Sequence, residues 1–169
     1  MLQTVYAMCG LAFSGKSSLA AILARELKTE LISLDAINHE RGLRGGDGMS
    51  DRQWEETSAT AMARLRLLLR HRCSVVVDDT FSHRFLRDRC KQVAADHGSR
   101  FLIIFMATPL SEIEARRAAN DRDPVRHRMR DEVFRQHRDR FQFPGDDEPV
   151  VRIRKASDVE DLLLRERHA

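Results

Sequence analysis

Residues Gly10 to Ser17 carry the clearest chemistry in this sequence of 169 residues, because they match the phosphate-binding pattern G-x-x-x-x-G-K-[ST] at every fixed position. Gly10 and Gly15 permit backbone angles that let successive N–H groups turn inward around an anion. Lys16 would reach the terminal phosphates of a nucleoside triphosphate, and the Ser17 hydroxyl would bind a magnesium ion. The pattern therefore predicts a loop that binds ATP and Mg²⁺.

The residues on either side of this loop fit the strand and the helix that such a loop requires. Residues 2–9 form a mostly apolar run of strand length, and residues 18–28 carry apolar side chains at helical spacing. The dipole of that helix would add positive potential at the phosphates. We expect the loop to contact the nucleotide through Gly10, Ala12, Phe13, Ser14, Gly15, Lys16, Ser17 and Ser18.

Carboxylates stand at the ends of the next two predicted strands, 30–34 and 73–80. Ligands of an open parallel sheet lie at the carboxyl ends of its strands, so Asp35 should point into the site. The alternative is that Asp35 only caps a short helical turn. The second strand ends in Asp78 and Asp79 and is similar to a Walker B element, whose aspartate helps to place magnesium. Both aspartates are candidate metal ligands, together with Ser17.

Arginines are concentrated between residues 116 and 130, among several acidic residues. One interpretation is a lid, because arginines that close over phosphates stabilise the charge of phosphoryl transfer and exclude water. The other is a pair of helices held together by salt bridges. The phosphate-binding loop favours the lid, and the arginines concerned are Arg116, Arg117, Arg122, Arg126, Arg128 and Arg130.

The other segments predict a compact α/β arrangement. Residues 42–48 indicate a flexible loop on the acceptor side. Trp54 is interpreted as a packed core residue, and the alternative is that it stacks on a ring of the acceptor. The charges of a predicted helix from Phe81 to His97 are interpreted as a solvated face, with Arg84 as the exception because it closely follows the third strand, and Gly98 is interpreted as the end of the helix. The remaining predictions are capping boxes at Ser50, Ser111 and Ser157, a central strand over 101–107, a helix over 131–141, an acidic turn over 143–148 and a last strand over 149–153.

Composition favours one folded domain spanning residues 1–169, since 42% of the residues are hydrophobic and 33% are charged. The three cysteines, Cys9, Cys73 and Cys90, have no metal-ligand spacing and are interpreted as buried apolar residues. A net charge of +3 does not by itself establish nucleic-acid binding. No apolar run reaches membrane-spanning length and no signal-like region opens the chain, so we expect a cytoplasmic protein without a membrane partner.

Taken together, the loop, Leu34-Asp35, Val77-Asp78-Asp79-Thr80 and the arginines from Arg116 to Arg128 resemble the small P-loop kinases. The closest likeness is to AAA-type ATP-binding proteins grouped with polynucleotide 5′-hydroxyl kinases and chloramphenicol phosphotransferase. The resemblance implies a three-layer α/β P-loop NTPase fold, with helices on both faces of five parallel strands in the order 2-3-1-4-5 and an arginine-rich lid over about 116–130.

The resemblance also implies roles for individual residues. Asp35 matches the aspartate that acts as general base on the acceptor hydroxyl in these relatives. The lid arginines that hold adenine and the phosphates correspond to Arg116 and to Arg122 or Arg126. Lys16, Asp35, Arg122 and Arg126 are thus the candidate catalytic residues.

The expected activity is transfer of the γ-phosphoryl group of MgATP to a hydroxyl of a small molecule. The alternatives are a polynucleotide 5′-hydroxyl kinase, with nucleic acid as partner, or a regulatory module that binds ATP without catalysis. Residues 42–48 and the helix after them match no known acceptor site, so the resemblance leaves the acceptor open.

Overall fold

The computed structural model describes residues 2–43, 48–124 and 128–168. Within them, strands and helices follow one another in a mostly alternating order, and each strand is short. The strands are β1 Thr4–Cys9, β2 Glu30–Ser33, β3 Val75–Asp78, β4 Arg100–Met106 and β5 Val150–Ile153. The helices are α1 Lys16–Glu26, α2 Leu34–Glu40, α3 Asp51–Arg70, α4 Arg84–Asp96, α5 Leu110–Arg122, α6 Asp131–Asp139 and α7 Ala156–Arg167.

The five strands form one parallel sheet in the order β2-β3-β1-β4-β5, which confirms the expected topology. The strand that precedes the phosphate-binding loop, β1, therefore lies at the centre. Asp78 at the end of β3 is in register with both Met8 on β1 and Ser33 on β2. The three strands thus end level with one another, and the residues that follow them emerge at the same edge of the sheet.

Side chains of β1 alternate between two separate core clusters, one on each face of the sheet. Val5 and Ala7 pack with side chains from α2, α3, α4, α5 and α6, whereas Tyr6 and Met8 pack with side chains from α1 and α7. Every residue of β1 is buried, as expected for a strand that is covered on both faces. The arrangement is the predicted three-layer α/β fold.

Two of the three predicted capping boxes are wrong. Ser50 does cap α3, accepting the Gln53 N–H at 3.3 Å while the Gln53 side chain accepts the Ser50 N–H at 2.8 Å. Helix α5 instead begins at Leu110, directly after Pro109, before Ser111 is reached. Helix α7 begins at Ala156, and the Asp158 carboxylate accepts the N–H groups of residues 154 and 155 at 2.7 and 3.2 Å.

The helix predicted from Phe81 begins three residues later, at Arg84. Phe81 has a φ of +43°, a left-handed conformation that cannot continue a right-handed helix. The same helix ends as predicted before Gly98, whose φ is +64°. Helix α6 ends at Asp139, two residues before the predicted end. The predicted flexible loop over 42–48 falls largely on residues 44–47, which lie outside the described residues.

Cys9 and Cys90 are buried, as predicted, and burial raises the pKa of the Cys9 thiol to about 12. Cys73 is only half-buried, so the prediction is wrong for that residue, which lies just before β3. None of the helices formed by the described residues is both long and apolar enough to cross a membrane.

Candidate active site

The phosphate-binding loop joins β1 to α1 in the conformation that its glycines predict. Gly10 has a φ of +149°, and a Cβ there would lie 3.1 Å from the Met106 Cβ and 3.3 Å from the Met106 carbonyl oxygen. Gly15 precedes α1 with a φ of +97°. Phe13, with a φ of +65°, is a non-glycine residue in the left-handed region. Such strain persists only where surrounding contacts enforce it, which is typical of a binding loop.

Side chains from inside and outside the loop bind its carbonyl groups. Lys16 donates from Nζ to the Leu11 carbonyl at 2.7 Å, and the Thr108 hydroxyl donates to the Ser14 carbonyl at 2.8 Å. The N–H groups of Gly10 and Ser14 donate to the Thr80 and Leu11 carbonyls at 3.1 and 3.2 Å, whereas the first N–H groups of α1 have no acceptor within the helix and can face a ligand. The Ser14 hydroxyl is buried without a hydrogen-bond partner in the part of the chain that the structure describes.

Asp78, Asp79 and Ser17 line one cleft together with Lys16. Burial raises the pKa of the Asp79 carboxyl, and the neighbouring Asp78 charge raises it further, whereas Lys16 and two backbone N–H groups lower it. Two carboxylates and a hydroxyl on the wall of one cleft would fit a hard dication, which would also relieve the repulsion between the carboxylates. The described residues contain no cluster of three or more metal-binding side chains. This donor set suits Mg²⁺, which keeps waters and phosphate oxygens as its other ligands.

Asp35 lies in the first turn of α2, exposed, and lines the same cleft. The hydroxyl of Ser33 caps this helix by accepting the Ala36 N–H at 3.3 Å. The alternative that Asp35 serves only as a cap is therefore wrong. Its carboxylate is left on the cleft wall, where β2 ends.

His137 contacts the phosphate-binding loop, which the sequence analysis did not predict. Its Nε2 accepts the Ala12 N–H at 3.2 Å, so the imidazole is unprotonated at that atom. Burial lowers the pKa of His137 to about 4, and the positive charges of Lys16 and His83 lower it further. His137 belongs to α6, 125 residues away from Ala12 in the chain. No motif marks it in the sequence.

The arginines between 116 and 130 have different environments. Arg116 reaches the loop, donating to the Phe13 carbonyl at 3.2 Å and pairing with Glu112. Arg117 instead pairs with Asp131 at 2.6 Å and lies 4.1 Å above the Phe134 ring.

Two further arginines of this segment do not line the cleft. Arg128 donates to the Asp121 carbonyl at 2.6 Å, which holds the segment to the end of α5. Arg122 lies exposed in the last turn of α5 and is not among the cleft residues. Arg126 lies outside the described residues. Of Arg116, Arg117, Arg122 and Arg128, Arg116 is the one in contact with the loop.

Arg87 binds the segment that follows the two aspartates at the end of β3. The sequence pattern predicts that its charge belongs to a solvated face of α4, but the side chain is buried. Its side chain is 1% exposed and forms a bidentate ion pair with Glu148 at 2.7 and 2.9 Å. It also donates to the carbonyls of Phe81 and Gln142 at 2.9 Å each. The prediction is wrong for Arg87, which joins the end of the third strand to the turn that includes Glu148.

The cleft has a volume of about 1180 Å³ and extends to both sides of the loop. One side, the α5–α7 arm, is lined by Met106, Arg116, Ala156, Val159 and Glu160. The other side, the α3–α4 arm, is lined mainly by Asp35, Asp51, Trp54, Glu55, Ser58 and Phe85. Trp54 is half-buried on the cleft wall, so its interpretation as a packed core residue is wrong.

A family model described as an AAA domain matches residues 5–144. The chain belongs to this family. The match begins within β1 and extends past α6, so it includes the loop and the cleft carboxylates Asp35, Asp51, Glu55, Asp78 and Asp79, but not Glu148 or Glu160. None of the curated proteins matches the chain.

Solved structures similar to this AAA-domain chain include small P-loop kinases. Kti12 of Chaetomium thermophilum in complex with ADP-AlF3 superposes with a TM-score of 0.81 at 14% identity, covering 98% of each chain. The APS kinase of Mycobacterium tuberculosis in complex with AMPPNP and APS gives 0.72 at 20% identity, covering 99% of each. A putative kinase of Chloroflexus aurantiacus gives 0.74 at 19% identity, covering 99% of this chain and 98% of that one. These likenesses establish a P-loop kinase-like fold.

Proposed function

We propose that this AAA-domain protein is a phosphotransferase that moves the γ-phosphoryl group of MgATP to a hydroxyl of a small molecule. The observation that supports this most is a single cleft that holds the Lys16 loop, the Asp78–Asp79 pair and the separate carboxylate of Asp35. A module that only binds ATP needs the first two groups, whereas phosphoryl transfer to a hydroxyl also needs a carboxylate such as Asp35 to orient the acceptor. The kinases with similar folds add support of a coarser kind.

Each part of the loop has a role in holding ATP. The loop N–H groups and Lys16 would bind the β- and γ-phosphates, and Arg116 lies where it would extend this positive site towards the nucleotide. Ser17 with Asp78 or Asp79 would hold Mg²⁺, which when bound neutralises phosphate charge as transfer proceeds. The exposed position of Arg122 means that the predicted role for that residue requires the end of α5 to approach the phosphates.

In the transfer step, the acceptor oxygen forms a bond to the γ-phosphorus while the bond from that phosphorus to the β–γ bridging oxygen breaks. The electron pair of the broken bond stays on the ADP leaving group. Asp35 orients the acceptor hydroxyl and accepts its proton, late in the step because an alcohol has a pKa far above neutrality. Lys16 stabilises the negative charge that is redistributed over the phosphate oxygens.

The substitution Asp35→Asn tests this assignment. It preserves the shape of the side chain but removes the proton acceptor, so transfer should fall by about 10²–10⁴-fold while ATP binding is unchanged. Transfer would be measured with γ-labelled ATP against a set of hydroxyl compounds that also includes oligonucleotides with a free 5′-hydroxyl. ATP affinity would be measured by calorimetry.

Glu40→Gln is the matched control, because Glu40 lies exposed on the same helix but outside the cleft, paired with Arg64. This variant should transfer phosphate at the unmodified rate. If Asp35→Asn is as active as the control, Asp35 is not in the mechanism. If nucleotide turnover depends neither on the acceptor nor on Asp35, a regulatory module is favoured instead.

A further inference from the structure

The α3–α4 arm of the cleft has an unusual charge for a site that would receive an acceptor. Asp35, Asp51 and Glu55 all line it. Glu55 is paired with Arg89 at 2.9 Å, and the same guanidinium donates to Ser58 at 3.3 Å, so this arginine is already engaged by the wall of the arm. The wall therefore has a net negative charge.

The cations of the cleft lie elsewhere. Among the described residues that line it, the lysine and arginine side chains are Lys16 and Arg116, and both donate to carbonyls of the phosphate-binding loop. His83 also lines the cleft, and its Nδ1 lies 3.0 Å from the Ser82 hydroxyl. An acceptor with a phosphate or carboxylate would face Asp35, Asp51 and the Arg89-paired Glu55 in the arm, whereas the lysine and the arginine of the described cleft lining are at the phosphate-binding loop.

Two aromatic rings also open onto this arm. Trp54 is half-buried in the first turns of α3, and Phe85, at the start of α4, is 57% exposed. The Phe85 ring packs against His83 on one side, with ring centroids 5.7 Å apart. Large rings that are exposed to a cavity offer apolar area and negative ring faces, which bind flat apolar groups and cations but not anions.

We propose that the α3–α4 arm binds a ring-bearing alcohol that carries no anionic group, either uncharged or with an amine. The ring lies against Trp54 or Phe85, an amine where present pairs with Asp51 or Glu55, and the hydroxyl is directed to Asp35. The proposal rests on the proposed phosphotransferase activity and names its acceptor class. It excludes oligonucleotides and phosphorylated sugars, which bring anions into the arm.

Trp54 is the one tryptophan in the sequence, so its fluorescence reports directly on this arm. In the full chain with a non-hydrolysable ATP analogue, we would titrate matched sets: glucosamine, glucose and glucuronate, and a nucleoside with its 3′-monophosphate. Transfer from γ-labelled ATP would be measured on the same compounds. We expect the neutral and amine members to quench the fluorescence and to accept phosphate, with the anionic members at least tenfold weaker in both.

In the double variant Glu55→Gln with Asp51→Asn, the advantage of neutral and amine compounds over anionic ones should fall to less than about threefold. The affinity for ATP should be unchanged. The control is Glu56→Gln, which alters the adjacent carboxylate on the same helix, a residue that is paired with Arg41 and Arg52 outside the cleft. Phe85→Leu should raise the KM for the acceptor, whereas Phe143→Leu, an exposed phenylalanine outside this cleft, should not.

The proposal would be overturned if anionic compounds or 5′-hydroxyl oligonucleotides accepted phosphate as well as, or better than, the neutral compounds. It would also be overturned if no compound of either set changed the Trp54 fluorescence. Failure of the proposed function looks different. If the protein is not a phosphotransferase, calorimetry will show no ATP binding, or the α3–α4 arm will bind these alcohols without any phosphate transfer to them.

Discussion

Among single residues, His137 gives the phosphate-binding loop a contact that the motif does not contain. A neutral imidazole accepts the Ala12 N–H at 3.2 Å, and its neighbours in the cleft are Lys16 and His83. Since the ring is held unprotonated beside positive charge, folding and protonation of this histidine oppose each other. The loop geometry therefore depends on a side chain from α6.

His137 should make stability depend on pH in a defined direction. Its pKa is about 4 in the folded chain and 6.5 when unperturbed, so the unfolded chain binds the extra proton between those values. Its contribution is complete above pH 6.5 and is lost as the pH falls towards 4. Urea unfolding of the wild type and of His137→Gln at several pH values should show the wild type losing stability relative to the variant over this window.

His71→Gln, which replaces an exposed histidine at the end of α3, is the control and should follow the wild type.

At pH 7.5 the glutamine of the His137→Gln variant can still accept the Ala12 N–H, so ATP affinity should be retained in His137→Gln and should weaken in His137→Ala. If the free energies of unfolding of the wild type and of His137→Gln change in parallel with pH, the predicted coupling between folding and protonation of His137 is wrong.

The motif made the loop predictable residue by residue, because its geometry is local. Gly10, Gly15 and Lys16 act within a few positions of one another, and their types alone specify the turn. His137 and Trp54 could not be found in this way. Each reaches the cleft through tertiary packing, which a periodicity of apolar residues does not encode.

At the scale of elements, the Arg87–Glu148 pair fixes the start of α4 to the turn before β5. Both side chains are buried, and Arg87 also holds the Phe81 carbonyl, next to the aspartates of the cleft. Removing one partner of such a pair leaves a buried charge without compensation. The hydrogen bonds from Arg87 hold the pKa of Glu148 below its usual value.

Arg87→Ala should therefore lower the free energy of unfolding by about 3–5 kcal/mol, measured by chemical denaturation. Asp147→Asn, which breaks the exposed pair with Arg84, is the matched control and should lower the free energy of unfolding far less than Arg87→Ala, because solvent screens an exposed pair. The pKa of Glu148 is lower in the folded chain than its ordinary value of 4.5. The stabilisation that the Glu148 carboxylate contributes is therefore present above about pH 4.5 and is lost as the pH falls through its folded-state pKa. Equal small effects in the two variants would contradict a structural role for the buried pair.

The elements themselves were largely predictable, and their ends were less so. Ser50 caps α3 as the pattern indicates, since a cap depends on neighbours within one turn. The starts of α4 and α7 differ because Phe81 has a left-handed φ of +43° and because the Asp158 carboxylate binds the N–H groups of residues 154 and 155, ahead of the predicted cap at Ser157. Burial of Arg87 depends on a partner 61 residues away, beyond any local rule.

For the molecule as a whole, the distribution of charge matters more than its sum. The sequence has a net charge of +3, yet the described wall of the α3–α4 arm is acidic and the lysine and arginine of the cleft are at the phosphate loop. The phosphate-binding loop follows β1 at the centre of the sheet, and the acidic arm lies to one side of that loop. A triphosphate on one side and an alcohol on the other would meet between Lys16 and Asp35.

Calorimetry with ATP and Mg²⁺ tests the central claim most directly, in the wild type and in Lys16→Met. We predict a saturable heat for the wild type that needs Mg²⁺ for full affinity, and an affinity at least tenfold weaker for the variant, with both proteins folded by circular dichroism. No heat with the wild type, or equal binding by Lys16→Met, would contradict the assignment of residues 10–17 as the nucleotide site.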